Sequence, residues 1–191
     1  MSDGLVQNYG SCSTPGILDT HEVAGFMTND EIYRQLVLCN SYTRMGVILN
    51  MVKQIGPGEL WLRILGENWT GCDNIFDYQA ILKHLLPKSG PVTEMMTAEE
   101  LAVYELLPET VTIYRGCGKK NRKGASWSLI KDVAAKFPFL KRYVVPCPML
   151  ITATVQKCQI MAVKLDRNES EIITFSPRIV KSEQLNSSHS P

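Results

Sequence analysis

The hydrophobic period of this chain changes once, near Pro108, and that change limits the folds open to it. Before Pro108 apolar residues recur at helical spacing. Ile32, Leu36 and Cys39, then Val47, Ile48, Met51, Val52 and Ile55, run until "GPG" stops them. Thr28 with Glu31, and Thr97 with Glu100, read as capping boxes that open helices. A break is expected between Ser41 and Gly46, and "ELWLRILGENW", "DYQAILKHLLP" and "AEELAVYELLP" read as three further helical runs. After Pro108 the period shortens: "VTIYRG", "MLITATV", "IMAVKL", "EIITF" and "RIVKSEQL" are rich in β-branched residues. One helix, "LIKDVAAKF", interrupts them. Helices first and strands afterwards predict an α+β fold, with an N-terminal helical region packed on one side of a mainly antiparallel sheet.

Boundaries follow from the same pattern. Residues 1–27 are rich in Gly, Ser and Thr without a period and read as a flexible arm. Residues 28–107 form the helical region, 108–185 the β core, and 186–191, "NSSHSP", a frayed tail. At 191 residues the chain has length for one full-sized domain with a helical extension.

Charge and cysteine usage narrow the chemistry. Twenty cations against nineteen anions leave a formal charge of +1, which marks neither a nucleic-acid-binding nor an acidic-membrane-binding chain. The six cysteines are scattered, with no C-x-x-C pair and no histidine cluster beside them, so neither a zinc site nor a disulfide lattice is expected. No metal is expected. No stretch approaches ~18 uninterrupted apolar residues, and "MSDGLVQNYGSCSTPG" lacks the basic start and apolar core of a signal peptide. An intracellular, cytoplasmic protein without membrane attachment is the expectation. His21, His84 and His189 fall in the arm, a helix and the tail, which leaves no nucleophilic triad.

Three short stretches carry chemistry. Tyr114-Arg115-Gly116 ends the first strand; Arg115 can offer a bidentate fork to a phosphate, and Gly116 can let backbone approach a ligand. An exposed arginine in a turn is the plain alternative. In "GASWS", Ser126 and Ser128 share one face of an extended segment and can bind ribose hydroxyls or orient a carboxylate. Alternatively Ser128 caps the following helix and Trp127 fills the core. In "RNESEIITF", Glu169 and Glu171 open a strand on the same face, roughly 6 to 7 Å apart. Solvated edge charge explains such a pair equally.

The order of these pieces, an arginine on the first strand, a serine pair after the next loop and Glu-x-Glu at a later strand, resembles the mono-ADP-ribosyltransferases of the Arg, Ser, Glu class. The likeness covers about residues 101–184 and is greatest to small bacterial and bacteriophage members with a Ser-Trp-Ser or Ser-Trp-Thr motif. It implies an ADP-ribosyltransferase-like β core that uses NAD as co-substrate, breaks its nicotinamide–ribose bond and passes ADP-ribose to a host or self protein, with arginine the implied acceptor. A nucleic-acid acceptor stays open, and a phage-encoded member would act in the host cytoplasm. By matching position, Arg115 with Gly116 would clamp the NAD pyrophosphate or adjoining ribose and Ser126 the nicotinamide ribose. Ser128 would orient Glu171, the catalytic carboxylate, and Glu169 would position or deprotonate the acceptor. The chain departs from the family pattern at Trp127, where threonine is commoner, and in the short loop Asp166 to Asn168. Two other functions compete: an NAD glycohydrolase, in which water replaces the acceptor, and a non-catalytic binding module whose helical region docks on a partner.

Overall fold

The structure, a computed structural model, describes residues 28–140, 145–166 and 170–185. The expected arm and tail lie outside the described residues, as does Glu169.

Both capping boxes form. Thr28 N–H donates to Glu31 Oε2 at 2.8 Å and opens α1 (Asn29–Val37). Thr97 does the same with Glu100, also at 2.8 Å, and opens α5 (Ala98–Leu106). The break after α1 comes slightly earlier than the spacing predicts, because Asn40 Oδ1 accepts from the backbone of Tyr42 and Thr43 at 2.9 and 3.0 Å. Such an Asx turn competes with helix, and α2 (Arg44–Ile55) starts immediately after it. Gly56, at φ 72°, then ends α2 in the left-handed region that glycine tolerates. α3 (Glu59–Asn68) runs into a 3-10 turn, Trp69–Gly71, and α4 (Gln79–Leu85) stops ahead of Pro87.

The second half builds β1 (Thr110–Cys117), β2 (Ser126–Ser128), β3 (Met149–Gln156), β4 (Ile160–Lys164), β5 (Glu171–Thr174) and β6 (Arg178–Gln184). They form one six-stranded sheet in the order β4-β5-β2-β1-β3-β6, and every pairing among them is antiparallel. α6 (Lys131–Lys136) begins two residues later than the pattern "LIKDVAAKF" predicts. Leu129 N–H still donates to Ser170 O at 2.9 Å, and Ile130 N–H is held by Ser128 Oγ at 2.9 Å, so neither enters the helix.

Helices cover both faces of the sheet rather than the single face expected. Adjacent strand residues point opposite ways: Ile173 and Ala162 pack with the buried side chains of α1 to α4, including Trp61, Trp69 and Leu65. Their neighbours Ile172 and Val163 pack instead with Trp127, Ile113 and Tyr104 of α5. Among the described residues no helix is long and apolar enough to cross a membrane.

One tight contact lies within the helical region and a second joins that region to the sheet. Gly66 of α3 lies against the backbone of Met95: a Cβ there would sit 2.5 Å from Met95 Cα and 2.7 Å from its carbonyl carbon. Lys164 Nζ, 3% exposed as a residue, donates to Glu100 Oε2 at 2.8 Å and to Met95 O at 3.2 Å, while Leu165 N–H donates to Glu100 Oε1 at 3.1 Å. Burial pushes the Glu100 carboxyl up, but the Lys164 ammonium and the Thr97 and Leu165 N–H groups outweigh it and hold the carboxyl below its ordinary value.

Gly to Ala in a helix interior ordinarily stabilises by up to about 1 kcal/mol. At position 66 the clash with backbone reverses the sign, and Gly66→Ala lowers stability by about 2 kcal/mol in urea unfolding. Because the Glu100 carboxyl is lowered in the folded state, its stabilisation is complete above the ordinary 4.5 and is lost as pH falls below that value. Melting temperature measured from neutral pH to about pH 3 therefore falls more steeply in the wild type than in Glu100→Gln, which starts lower.

Candidate functional site

β1 and β2 are neighbours in the sheet, yet they pair through one register position, Tyr114 opposite Ser128. On its other side β1 is paired along its whole length with β3, and β2 along its whole length with β5. The sheet is thus two three-stranded halves that touch at one point and diverge beyond it. A solvent-open cleft occupies the divergence.

Arg115, Gly116, Ser126, Ser128 and Glu171 all line this cleft, although 56 positions separate the first from the last. β5 brings the carboxylate in, since Glu171 lies opposite Ser128 in the β2–β5 register. Thr70 Oγ1 donates to Asp166 Oδ2 at 2.9 Å, and Leu129 N–H holds Ser170 O, so the chain is pinned on both sides of residues 167–169. Glu169 belongs to that segment, outside the described residues.

Trp127 fills the core, as the plain alternative expects, and Ser128 does not take the role that the resemblance implies for it. Ser128 Oγ accepts from Ile130 N–H at 2.9 Å and donates to Ile130 O at 3.1 Å; it closes a turn ahead of α6 instead of reaching Glu171. The indole of Trp69 does reach Glu171: its Nε1–H donates to Glu171 Oε1 at 3.0 Å and is shared with Ser126 Oγ at 3.2 Å. Trp69 is fully buried. Its ring therefore sets the carboxylate and the serine hydroxyl together, from the end of a run that the sequence marks only as helical. The signal was its polar edge: a buried indole N–H needs an acceptor. Trp61 and Trp127 find backbone carbonyls, of Ile48 and Gly124, at 2.8 Å each. Trp69 finds an ionisable side chain.

Arg115 spans the diverging walls. Its Nε donates to Asn121 O at 3.0 Å and its Nη1 to Ser126 O. Gly124 makes room for it, because a Cβ there would fall on the guanidinium, 2.5 Å from Cζ. Gly116 faces away from the use expected of it. A Cβ at that position would strike Ala134 O and lie 2.6 Å from Pro138 Cδ, so the missing side chain lets α6 pack on β1 rather than admitting a ligand.

The cleft walls combine flat apolar surface with this polar set: Phe137 and Pro138 lie on one side, Trp69 and the 40% exposed Phe76 on the other. Cys72 and Cys117 also line it. Burial pushes the Cys72 thiol up to about 11 and raises that of Cys117, so both are protonated at neutral pH and neither is a thiolate nucleophile. No group of three His, Cys, Asp or Glu side chains among the described residues is placed to hold a metal ion. The arrangement offers a fixed carboxylate, a hydroxyl beside it and a guanidinium in the wall between flat surfaces. It can stabilise a cation that develops on a ligand lying in the cleft.

Comparison of the chain with protein-family models, with curated proteins and with solved structures returned no match. Trp69→Phe keeps an aromatic ring, removes the N–H and leaves part of the buried indole volume unfilled. It lowers stability by about 3 kcal/mol in urea unfolding, about half from the hydrogen bond to a charged group and the rest from the cavity, whereas an equal loss in Trp69→Phe made on a Glu171→Ala background would disprove the coupling.

Proposed function

We propose that this protein is an NAD-dependent mono-ADP-ribosyltransferase that acts on a protein arginine. The observation that carries the reading is the convergence of Glu171, Ser126 and Arg115, in the order and residue types of that family, on one cleft with the carboxylate held in place. Residue identity alone supported the likeness; a shared cavity adds a spatial reason for it.

The chemistry suits these groups. Breaking the C1′–N bond of NAD lets neutral nicotinamide leave with the electron pair and puts positive charge on the ribose, as in glycoside cleavage. Glu171, oriented by Trp69, opposes that charge with its own, and the benefit grows where water is excluded. Ser126 Oγ, beside the carboxylate, is placed for a ribose hydroxyl. The Arg115 guanidinium supplies positive charge in the wall for the diphosphate while holding Ser126 and Asn121. A guanidinium nitrogen of the acceptor then bonds to C1′ and loses a proton, which Glu169 accepts and passes to water. Two glutamates two positions apart fit this scheme because two cations, ribose and guanidinium, meet beside them. Since NAD is held inside cells, the activity belongs in the cytoplasm, that of the host if the gene is carried by a phage.

Incubation of the protein with labelled NAD and a cell lysate transfers label to protein. Glu171→Gln, which changes charge with little change in shape, lowers the rate roughly 100- to 1,000-fold without loss of folding by circular dichroism. Free ADP-ribose without labelled macromolecule would identify a glycohydrolase instead. Intact NAD, or a Glu171→Gln protein as active as the wild type, would leave only the binding-module function.

A further inference from the structure

Residues 110–131 contain six cations, Arg115, Lys119, Lys120, Arg122, Lys123 and Lys131, and no acidic residue, in a chain whose formal charge is only +1. Four of them stand in the loop between β1 and β2, whose residues Gly118 and Asn121 line the cleft. Lys119, Lys120 and Lys123 are exposed. The ion pairs of the described residues join Lys164 to Glu100 and Lys181 to Glu183, so these three lysines enter none. Arg122 donates to Ser182 Oγ at 2.9 Å, and its Nε is buried without a partner among the described residues.

The loop backbone is fixed from three directions. Arg115 holds Asn121 O, Gln79 Nε2 donates to Lys123 O at 3.0 Å, and Arg122 is tied to β6. The charges are therefore presented at the rim as a set. Asp73 lines the cleft and Asp77 is exposed two residues before Gln79, and neither forms an ion pair with these lysines.

From this we infer that the β1–β2 loop is a docking element for acidic protein surfaces, and that it selects acceptor arginines flanked by Asp or Glu. The inference rests on the transferase reading above and names its acceptor class. A cationic arginine entering beside four cations is repelled on approach. Carboxylates next to it, within a Debye length of about 8 Å, turn that repulsion into attraction. A reading of phosphates by the same cations would predict a nucleic-acid acceptor. The formal charge of only +1 over the whole chain, with no broad basic surface for a phosphate backbone, instead favours protein.

The test uses the full chain, labelled NAD and three short peptides in which one arginine is flanked by Glu, Ser or Lys. Nicotinamide release and label on peptide are followed separately. The Glu-flanked peptide is modified about tenfold more efficiently, in kcat/KM, than the Ser-flanked one, and the Lys-flanked peptide least; the spread narrows at about 0.3 M salt. Combined Lys119→Gln, Lys120→Gln and Lys123→Gln flatten the series, and the corresponding Glu replacements invert it, with nicotinamide release into water unchanged. Equal modification of the three peptides, or a series that the charge-reversed variant leaves intact, overturns the docking assignment while transfer itself stands. Label appearing on added RNA and not on peptide overturns it in favour of a nucleic-acid acceptor. Absence of nicotinamide release from every mixture overturns the transferase reading, and the assignment falls with it.

Discussion

The site exists because β1 and β2 are neighbours that barely pair. A full ladder between them would close the space that Ser126, Arg115 and Glu171 share, and the single Tyr114–Ser128 position leaves it open. Strand ends with unmade ladder bonds are costly unless other groups take them up. Arg115 does this: its guanidinium takes the carbonyls of Asn121 and Ser126, spanning the divergence with charge-assisted hydrogen bonds. Gly124 and Gly116 are the steric counterparts, one yielding to the guanidinium and the other to α6. The opening in the sheet is held by its own walls.

The helical region completes the cleft as well as covering the sheet. Trp69 closes one wall, anchors Glu171 and Ser126, and belongs to the first core cluster along with α1 to α4. Position at the site is thereby linked to packing some distance away, because displacing α3 displaces the 3-10 turn that carries the indole. The buried Glu100–Lys164 pair ties α5 to β4, the edge strand beside β5. A pair of this kind adds little net stability over apolar packing, but once present it strongly disfavours separation of its members. It therefore fixes where α5 sits more than how strongly the protein folds.

The elements were largely legible. Thr28–Glu31 and Thr97–Glu100 are local signals whose hydrogen bonds close within four residues, so they survive any tertiary arrangement. Five of the six strands follow from β-branched runs, and the sixth, Ser126–Ser128, was readable only as an extended segment because three residues carry no period. Errors fall where a side chain competes with the backbone: Asn40 starts α2 early, and Ser128 delays α6. The partition of helices between the two faces was not legible, since nothing within α5 states which strand face its apolar residues will meet.

The sequence by itself determined the α+β class, the starts of α1 and α5 and the residue types proposed for the chemistry, because each rests on spacing within a few residues or on side-chain identity. Only the tertiary structure decided that Glu171 is held by Trp69 and not by Ser128, that Gly116 serves α6, and that Arg115 stitches the cleft wall. Those facts depend on distances between residues up to 102 positions apart, and a linear pattern contains no such distances until strands pair and helices pack.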